Sequence, residues 1–467
     1  MANSPATAPD PYTVQAGQAR PPPTTLWGRL SYLGPSLLIT GAVIGSGELV
    51  LTTSLGAAAG WTLLWWLVLS CWCKSLIQAE LARYTIATGD TYMRAINRLP
   101  GRMLHVSWPI WLGLVAYLPG TMGLGGILGG AGEALAFLGS VMGFSWNSTL
   151  CVGLIAVVSS AILSTGSYRW LENVMLPLVV TFTLATLICA IAMQFTEYRA
   201  EPADILQGLT PDFALFVPLA ALALSAYGYT GTGSGDRSAY TYWCIEKGYP
   251  SFLGADRDAP DWEARARGWM KVLHTDILVA LLIITLATIP YYFLGAGVLN
   301  QMGLRPEGSE ATIATLSNIF TQTVGEWAVW VFSIGAFFIL FSSVLSGVGA
   351  GGRAIPDYFI EMRLFDRSNL QLRRKIIRWY LGVLPLVAFG IYLLAPSFVF
   401  LIMIGGMTSA LFLPIQSGAT LWLQANHMDP RIRPRRLTHY AMWVIFCFEL
   451  AMAALVIWFI VLAPLRS

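Results

Sequence analysis

Charge is what this sequence has least of: 11% of its 467 residues are Asp, Glu, Lys or Arg, against 56% hydrophobic. Mean hydropathy is +0.62, and a chain this apolar cannot cover the surface of an ordinary water-soluble domain. Cysteine and histidine are sparse too. The six cysteines (Cys71, Cys73, Cys151, Cys189, Cys244 and Cys447) lie in or beside apolar stretches. There a thiol behaves as a small hydrophobe, so no disulfide framework is indicated. Cys71 and Cys73 stand two apart, a spacing that sends helical side chains to different faces and excludes a metal pair. The four histidines, His105, His274, His427 and His439, are not at metal-ligand spacing. Neither a nucleophile–base set nor a nucleic-acid patch emerges. Gly231-Thr232-Gly233-Ser234-Gly235 lacks the lysine and preceding strand of a phosphate loop. The sequence therefore indicates no enzyme and no permanently bound cofactor. Its first 25 residues lack the charged start, apolar core and cleavage site of a signal peptide. Polar and proline-rich, they read as a disordered cytoplasmic tail, here bounded at 1–30, before a membrane domain over 31–467.

Long apolar stretches are what the sequence does have. Runs of about twenty apolar residues place eleven spans near 33–58, 61–82, 107–136, 148–165, 170–194, 213–233, 272–296, 326–350, 377–395, 397–424 and 439–463. Eighteen Trp and eighteen Tyr suit two interfacial belts in a lipid bilayer. With a cytoplasmic N-terminus, 24 of the 28 Lys and Arg fall in cytoplasmic segments; Arg199, Arg305 and Arg466 lie outside and Lys74 lies within a span. That bias predicts a cytoplasmic N-terminus, an external C-terminus and an odd number of spans, read as those of a bacterial inner (cytoplasmic) membrane protein. Five spans followed by five more would set two halves antiparallel, about 33–195 and 213–424, with an extra peripheral helix at about 439–463.

One short word occurs in both halves. Gly45-Ser46-Gly47-Glu48 interrupts the first apolar stretch, and Gly233-Ser234-Gly235-Asp236 follows the sixth. Glycines beside a carboxylate break a membrane helix, which is tolerated only where the freed backbone faces protein or a water-filled cavity. Breaks at matching places in two halves point to a substrate site near the midplane, served by alternating access. The expected breaks are Gly41–Glu48 and Tyr227–Gly235. Glycines of the third span (Gly113, Gly120, Gly123, Gly125, Gly126, Gly129, Gly130, Gly132) and the eighth (Gly347, Gly349, Gly351, Gly352) are read as close-packing positions.

Several stretches resemble the Nramp family of divalent-metal transporters. They are Gly34-Pro35-Ser36 through Glu48, Leu64-Trp65-Trp66, Leu76-Ile77-Gln78, Ile86-Ala87-Thr88-Gly89, Ser342-Ser343, Arg373 to Arg378 with Pro385, and Leu413-Pro414. The resemblance covers roughly 30–425. It implies an all-α membrane protein of the LeuT-type fold: a five-plus-five inverted repeat of about 11 transmembrane helices, with helices 1 and 6 broken. It departs from the family at the site. Where the family has Asp-Pro-Gly-Asn, this chain has Gly45-Ser46-Gly47-Glu48. The sixth-helix counterpart, Ala226-Tyr227-Gly228-Tyr229-Thr230-Gly231, keeps the Ala whose carbonyl binds metal but lacks the Met, Pro and His. The third-helix proton carriers fall on glycines near Gly123 and Gly126.

The site expected from these positions comprises Gly45, Ser46, Gly47, Glu48, Ala226, Tyr227, Tyr229, Thr230 and Asp236, with Glu48 and the Ala226 carbonyl as metal ligands. Its donors are oxygens, which suit Mg²⁺ or Mn²⁺ as cargo rather than softer metals. A second reading takes the cargo as an amino acid or other small organic solute, its carboxylate held by Gly45 and Gly47 amides and its ammonium by Tyr227, Tyr229 and Glu48. Asp236 stands open between a site role, a pair with Arg237 and a helix cap. Glu133 is read as solvated or capping, and Glu80 and Glu449 as pairing or snorkelling near span ends. The partners are thus a bilayer and a small ion or molecule, with no nucleic acid; the sequence specifies no oligomeric state.

Overall fold

A computed structural model describes residues 12–15, 17–34, 44–165, 169–306 and 311–458, with backbone alone over 169–176. Among these, every element is helical except a short antiparallel hairpin, β1 (Arg102–Met103) against β2 (Val106–Ser107). Seven described helices are long and apolar enough to cross a membrane: Trp108–Val141, Pro177–Phe195, Trp262–Leu299, Ala328–Glu361, Leu370–Leu394, Phe398–His427 and Arg436–Ile457. Ser148–Ser164 is apolar but shorter. Their outward faces are greasy: Leu278, Leu282 and Leu286, spaced by four, are all exposed. This is a membrane-embedded helical bundle.

Three further segments pass through its centre and are less apolar for a reason. Helix α1 (Leu64–Thr88) carries Lys74, Glu80 and Arg83, all buried. Glu80 is satisfied by Arg83 at 2.8 Å and the Gln424 amide at 2.9 Å, so it pairs inside the bundle and does not snorkel. The first stretch runs as a π-helix over Gly47–Thr52 and an α-helix over Thr53–Ala59; Gly41–Val43 of the expected break lie outside the described residues. The sixth stretch differs most from expectation. Residues 213–219 form turns, helix α2 spans Ala220–Tyr229, residues 230–233 are non-helical, and helix α3 spans Ser234–Glu246. Gly231 turns to φ +71°, a left-handed conformation that favours glycine. Asp236 then caps the restart by accepting the Gly233 N–H at 2.9 Å. Asp236 and Arg237 therefore sit inside the second half-helix, where the sequence had suggested the membrane's edge.

Close backbone approach holds these parts together. A Cβ on Gly123 would lie 2.7 Å from the Gly405 Cα, and one on Gly126 would lie 2.6 Å from the Phe398 carbonyl oxygen, so these third-span glycines do pack helices. Gly120 and Gly347 are exceptions, since a Cβ at either meets nothing within 4 Å. Glu133, expected to be solvated or capping, is 6% exposed. The tail read as disordered makes specific contacts from Tyr12 onward. Tyr12 donates to Glu246 at 2.6 Å, the Arg20 N–H donates to the Phe252 carbonyl at 3.0 Å, and Trp269 donates to the Arg20 carbonyl at 3.0 Å.

The helix at Arg436–Ile457 is tied in by charge. Its Glu449 meets Arg237 at 2.8 Å, both side chains having 0% exposure, and also accepts from the Ser417 hydroxyl. Arg237, expected among the cytoplasmic basic residues, and Glu449, expected near a span end, both lie in the protein interior. Removing one partner of a buried pair leaves an uncompensated charge. Arg237→Met or Glu449→Leu alone should cost about 3–5 kcal/mol, and the double variant should regain most of it. Thermal unfolding of the purified variants checks this; singles no less stable than the double would refute it.

Candidate functional site

Breaking the helix between Tyr229 and Ser234 frees peptide groups that need partners at membrane depth. The N–H of Gly231 donates to Glu48 Oε1 at 3.1 Å, while Glu48 Oε2 accepts from the Gly45 N–H at 3.2 Å and the Thr288 hydroxyl stands 3.5 Å from Oε1. Glu48 has 0% exposure. On the opposite side of the break, Lys74 Nζ donates to the Tyr227 carbonyl at 2.6 Å and to the Thr230 carbonyl. Ser70, one turn earlier on α1, offers its hydroxyl to the same two carbonyls at 3.3 Å each. The i, i+4 spacing puts both side chains on one face of α1. Ser409 accepts from the Ser234 N–H and donates to the Gly228 carbonyl, each at 2.9 Å. The Thr52 and Thr230 hydroxyls meet at 2.8 Å and bind the first segment to the break. A carboxylate thus takes the break's N–H and an ammonium its carbonyls.

Beside this junction lies a cavity of about 380 Å³. Its inner end is lined by Ser46, Gly47, Tyr229, Ser234, Asp236 and Ser409, and its walls by Leu124, Ile127, Phe412 and Ile415. It runs to Tyr92, Ile96, Ile110 and Tyr358, on the side where Arg94, Arg98 and Arg353 lie. Among the described residues, Asp236 is its only charged lining side chain.

The nine expected site residues divide into two groups. Ser46, Gly47, Tyr229 and Asp236 line the cavity. Gly45, Glu48, Ala226, Tyr227 and Thr230 are taken up in the junction: the Ala226 carbonyl accepts the Thr230 N–H at 2.7 Å, and the Tyr227 ring packs against Trp66 and Phe448 at 5.2 and 5.7 Å. Among the described residues, no group of three or more His, Cys, Asp or Glu is placed to hold a metal ion. Sequence reasoning missed Lys74, Ser70, Thr288 and Ser409. Of these only Lys74 carried a signal, a lone charge in an apolar run.

Comparison with known proteins bears on this arrangement. The model of the Nramp family, described as natural resistance-associated macrophage protein-like, matches residues 36–232. That match covers the first half of the chain's membrane region and marks a likeness to the family. The chain is 24% identical over 377 residues to a divalent metal cation transporter, MntH, of Chromohalobacter salexigens, covering 78% of this chain and 77% of that one. It is equally 24% identical over 339 residues to an uncharacterised protein of Pasteurella multocida, covering 71% of each. The manganese transporter of Eremococcus coleocola superposes with a TM-score of 0.66 at 16% identity over 97% of this chain and 92% of its own. MhsT in complex with L-phenylalanine superposes at 0.56 and 16% identity over 93% and 100%. Both likenesses concern the fold, which is that of the LeuT and Nramp structural class.

The junction predicts how Glu48 behaves. Glu48→Gln replaces one acceptor by an amide that faces a backbone N–H, and Glu48→Ala removes both acceptors. Each should lower stability by about 1–3 kcal/mol, with Ala at the upper end. Thermal melting in detergent reads this, and an unchanged melting temperature for Glu48→Ala would show that the carboxylate does not hold the break.

Proposed function

We propose that this protein is a secondary-active transporter moving a small organic solute with one cationic group by alternating access. The cavity carries the reading. Its volume of about 380 Å³ suits a small molecule better than a bare ion, and it has apolar walls with polar groups gathered at one end. Asp236 supplies the one negative charge there among the described residues, the hydroxyls of Ser46, Ser234 and Ser409 supply hydrogen bonds, and the Tyr229 ring offers a face to a cation. Gly45, Glu48, Ala226, Tyr227 and Thr230 are then positioning groups that hold the break behind the site.

The likeness to a divalent metal cation transporter and to a manganese transporter favours a second reading, a divalent cation such as Mg²⁺ or Mn²⁺. Such an ion would bind at Asp236 with several of its waters, because a direct ligand shell from Glu48 and the Ala226 carbonyl is spent on protein hydrogen bonds.

The architecture behind either reading is eleven spans, in repeats near 33–195 and 213–424, with spans one and six broken. The N-terminus is cytoplasmic and the C-terminus external, in a bacterial inner membrane. The mobile unit is spans one, two, six and seven. They are bound together by the Glu48–Gly231, Lys74–Tyr227 and Thr288–Glu48 contacts, and a Cβ on Gly56 would sit 2.6 Å from the Tyr292 carbonyl oxygen. The cavity's opening on the basic side makes this conformation inward-facing.

Proteoliposome uptake tests the reading with a panel of ammonium-bearing organic solutes alongside Mg²⁺ and Mn²⁺. Wild type should accumulate an organic cation, and Asp236→Asn should reduce that uptake at least tenfold, about 1.4 kcal/mol for a lost charge-assisted contact. Uptake of Mn²⁺ or Mg²⁺ with no organic solute transported would defeat the organic reading in favour of the metal. Gly347 lines the cavity with open space at its Cβ position. Gly347→Leu should therefore fold with an unchanged melting temperature yet lose uptake; full uptake by this variant would place the substrate elsewhere.

A further inference from the structure

Lys74 is a charged group that the cavity does not use. Its side chain has 0% exposure, and among the described residues it forms no ion pair within 4.0 Å. Its ammonium lies instead on the Tyr227 and Thr230 carbonyls, with the Ser70 hydroxyl addressing the same oxygens and the Tyr227 ring centroid 5.2 Å away. Two freed carbonyls at a helix break, a hydroxyl beside them and a carboxylate across the break make the surroundings in which a transporter binds a free inorganic cation. A buried ammonium is costly to desolvate. A neutral side chain could donate to one of these carbonyls at lower cost, so the charge itself is what the position retains.

We infer that the Lys74 ammonium is a tethered cation: it occupies the carbonyl pair of the broken helix as a free Na⁺ or Mg²⁺ ion would, and its charge bars such an ion from entering. The break is then held together without an inorganic ion, whichever solute fills the cavity. Removing the ammonium turns the carbonyl pair into a vacant site for a small cation.

The test uses the full-length purified protein. Its melting temperature is titrated with NaCl, LiCl, KCl, MgCl₂ and MnCl₂ at an ionic strength held constant with choline chloride. Wild type should show no ion-specific, saturable shift. Lys74→Ala should melt lower in choline and regain at least half of that loss, saturably, with one or more of the small cations. A saturable shift in wild type would overturn the inference, because the site would then accept a free ion beside the lysine. A folded Lys74→Ala that answers to none of the ions would overturn it equally. If Lys74→Ala does not fold, Lys74→Gln, whose amide still reaches for a carbonyl, carries the same readout. If neither folds, the wild-type titration decides alone, a flat response sustaining the tethered cation and a saturable one rejecting it.

Discussion

Peptide groups cannot be left bare in the interior of a membrane, and most of what is distinctive here follows from where one helix leaves them. Four non-helical residues between Tyr229 and Ser234 release both donors and acceptors. Glu48 answers the Gly231 N–H, Asp236 the Gly233 N–H, Ser409 the Ser234 N–H, and Lys74 with Ser70 the Tyr227 and Thr230 carbonyls. Each negative group meets a donor and the positive group meets acceptors. The break also explains why α1 is too polar to pass as an ordinary membrane helix while lying at the centre of one.

The same constraint separates support from recognition. Glu48, Lys74 and Ser70 are buried and bonded to the break, whereas Ser46, Tyr229, Ser234 and Asp236 border open volume. The junction resembles a frame whose members are fixed by opposite charge, with the cavity built against its outer side. Glu48, expected from the sequence as a ligand, is part of that frame, and the charge that faces the cavity lies on the restarted helix at Asp236.

Much of the fold was legible because length and hydropathy are one-dimensional quantities. Runs of twenty apolar residues and the distribution of Arg and Lys need no knowledge of contacts, and the two glycine–carboxylate words marked where regular helix would fail. The sixth stretch, expected over 213–233, runs on to Glu246 because Asp236 and Arg237, which suggest the edge of the membrane, lie inside the second half-helix. Nothing local says that Arg237 will be neutralised by Glu449, 212 residues away. Glu48 was legible as unusual, but its partners are backbone N–H groups, which every residue has and no sequence displays. Lys74 was visible as a charge in the wrong place; its role depended on a break it does not adjoin in sequence.

The pairing of Arg237 with Glu449 has a consequence in time as well as in space. At synthesis rates of roughly 5–20 residues per second, a separation of 212 residues means that Arg237 is made roughly 10–40 s before its partner exists. Through that interval the half-helix that carries it, and with it the floor of the cavity, has no neutral place in lipid. It must wait in a polar setting until the helix at Arg436–Ile457 arrives. A helix made near the end of synthesis is thus what lets an earlier one settle.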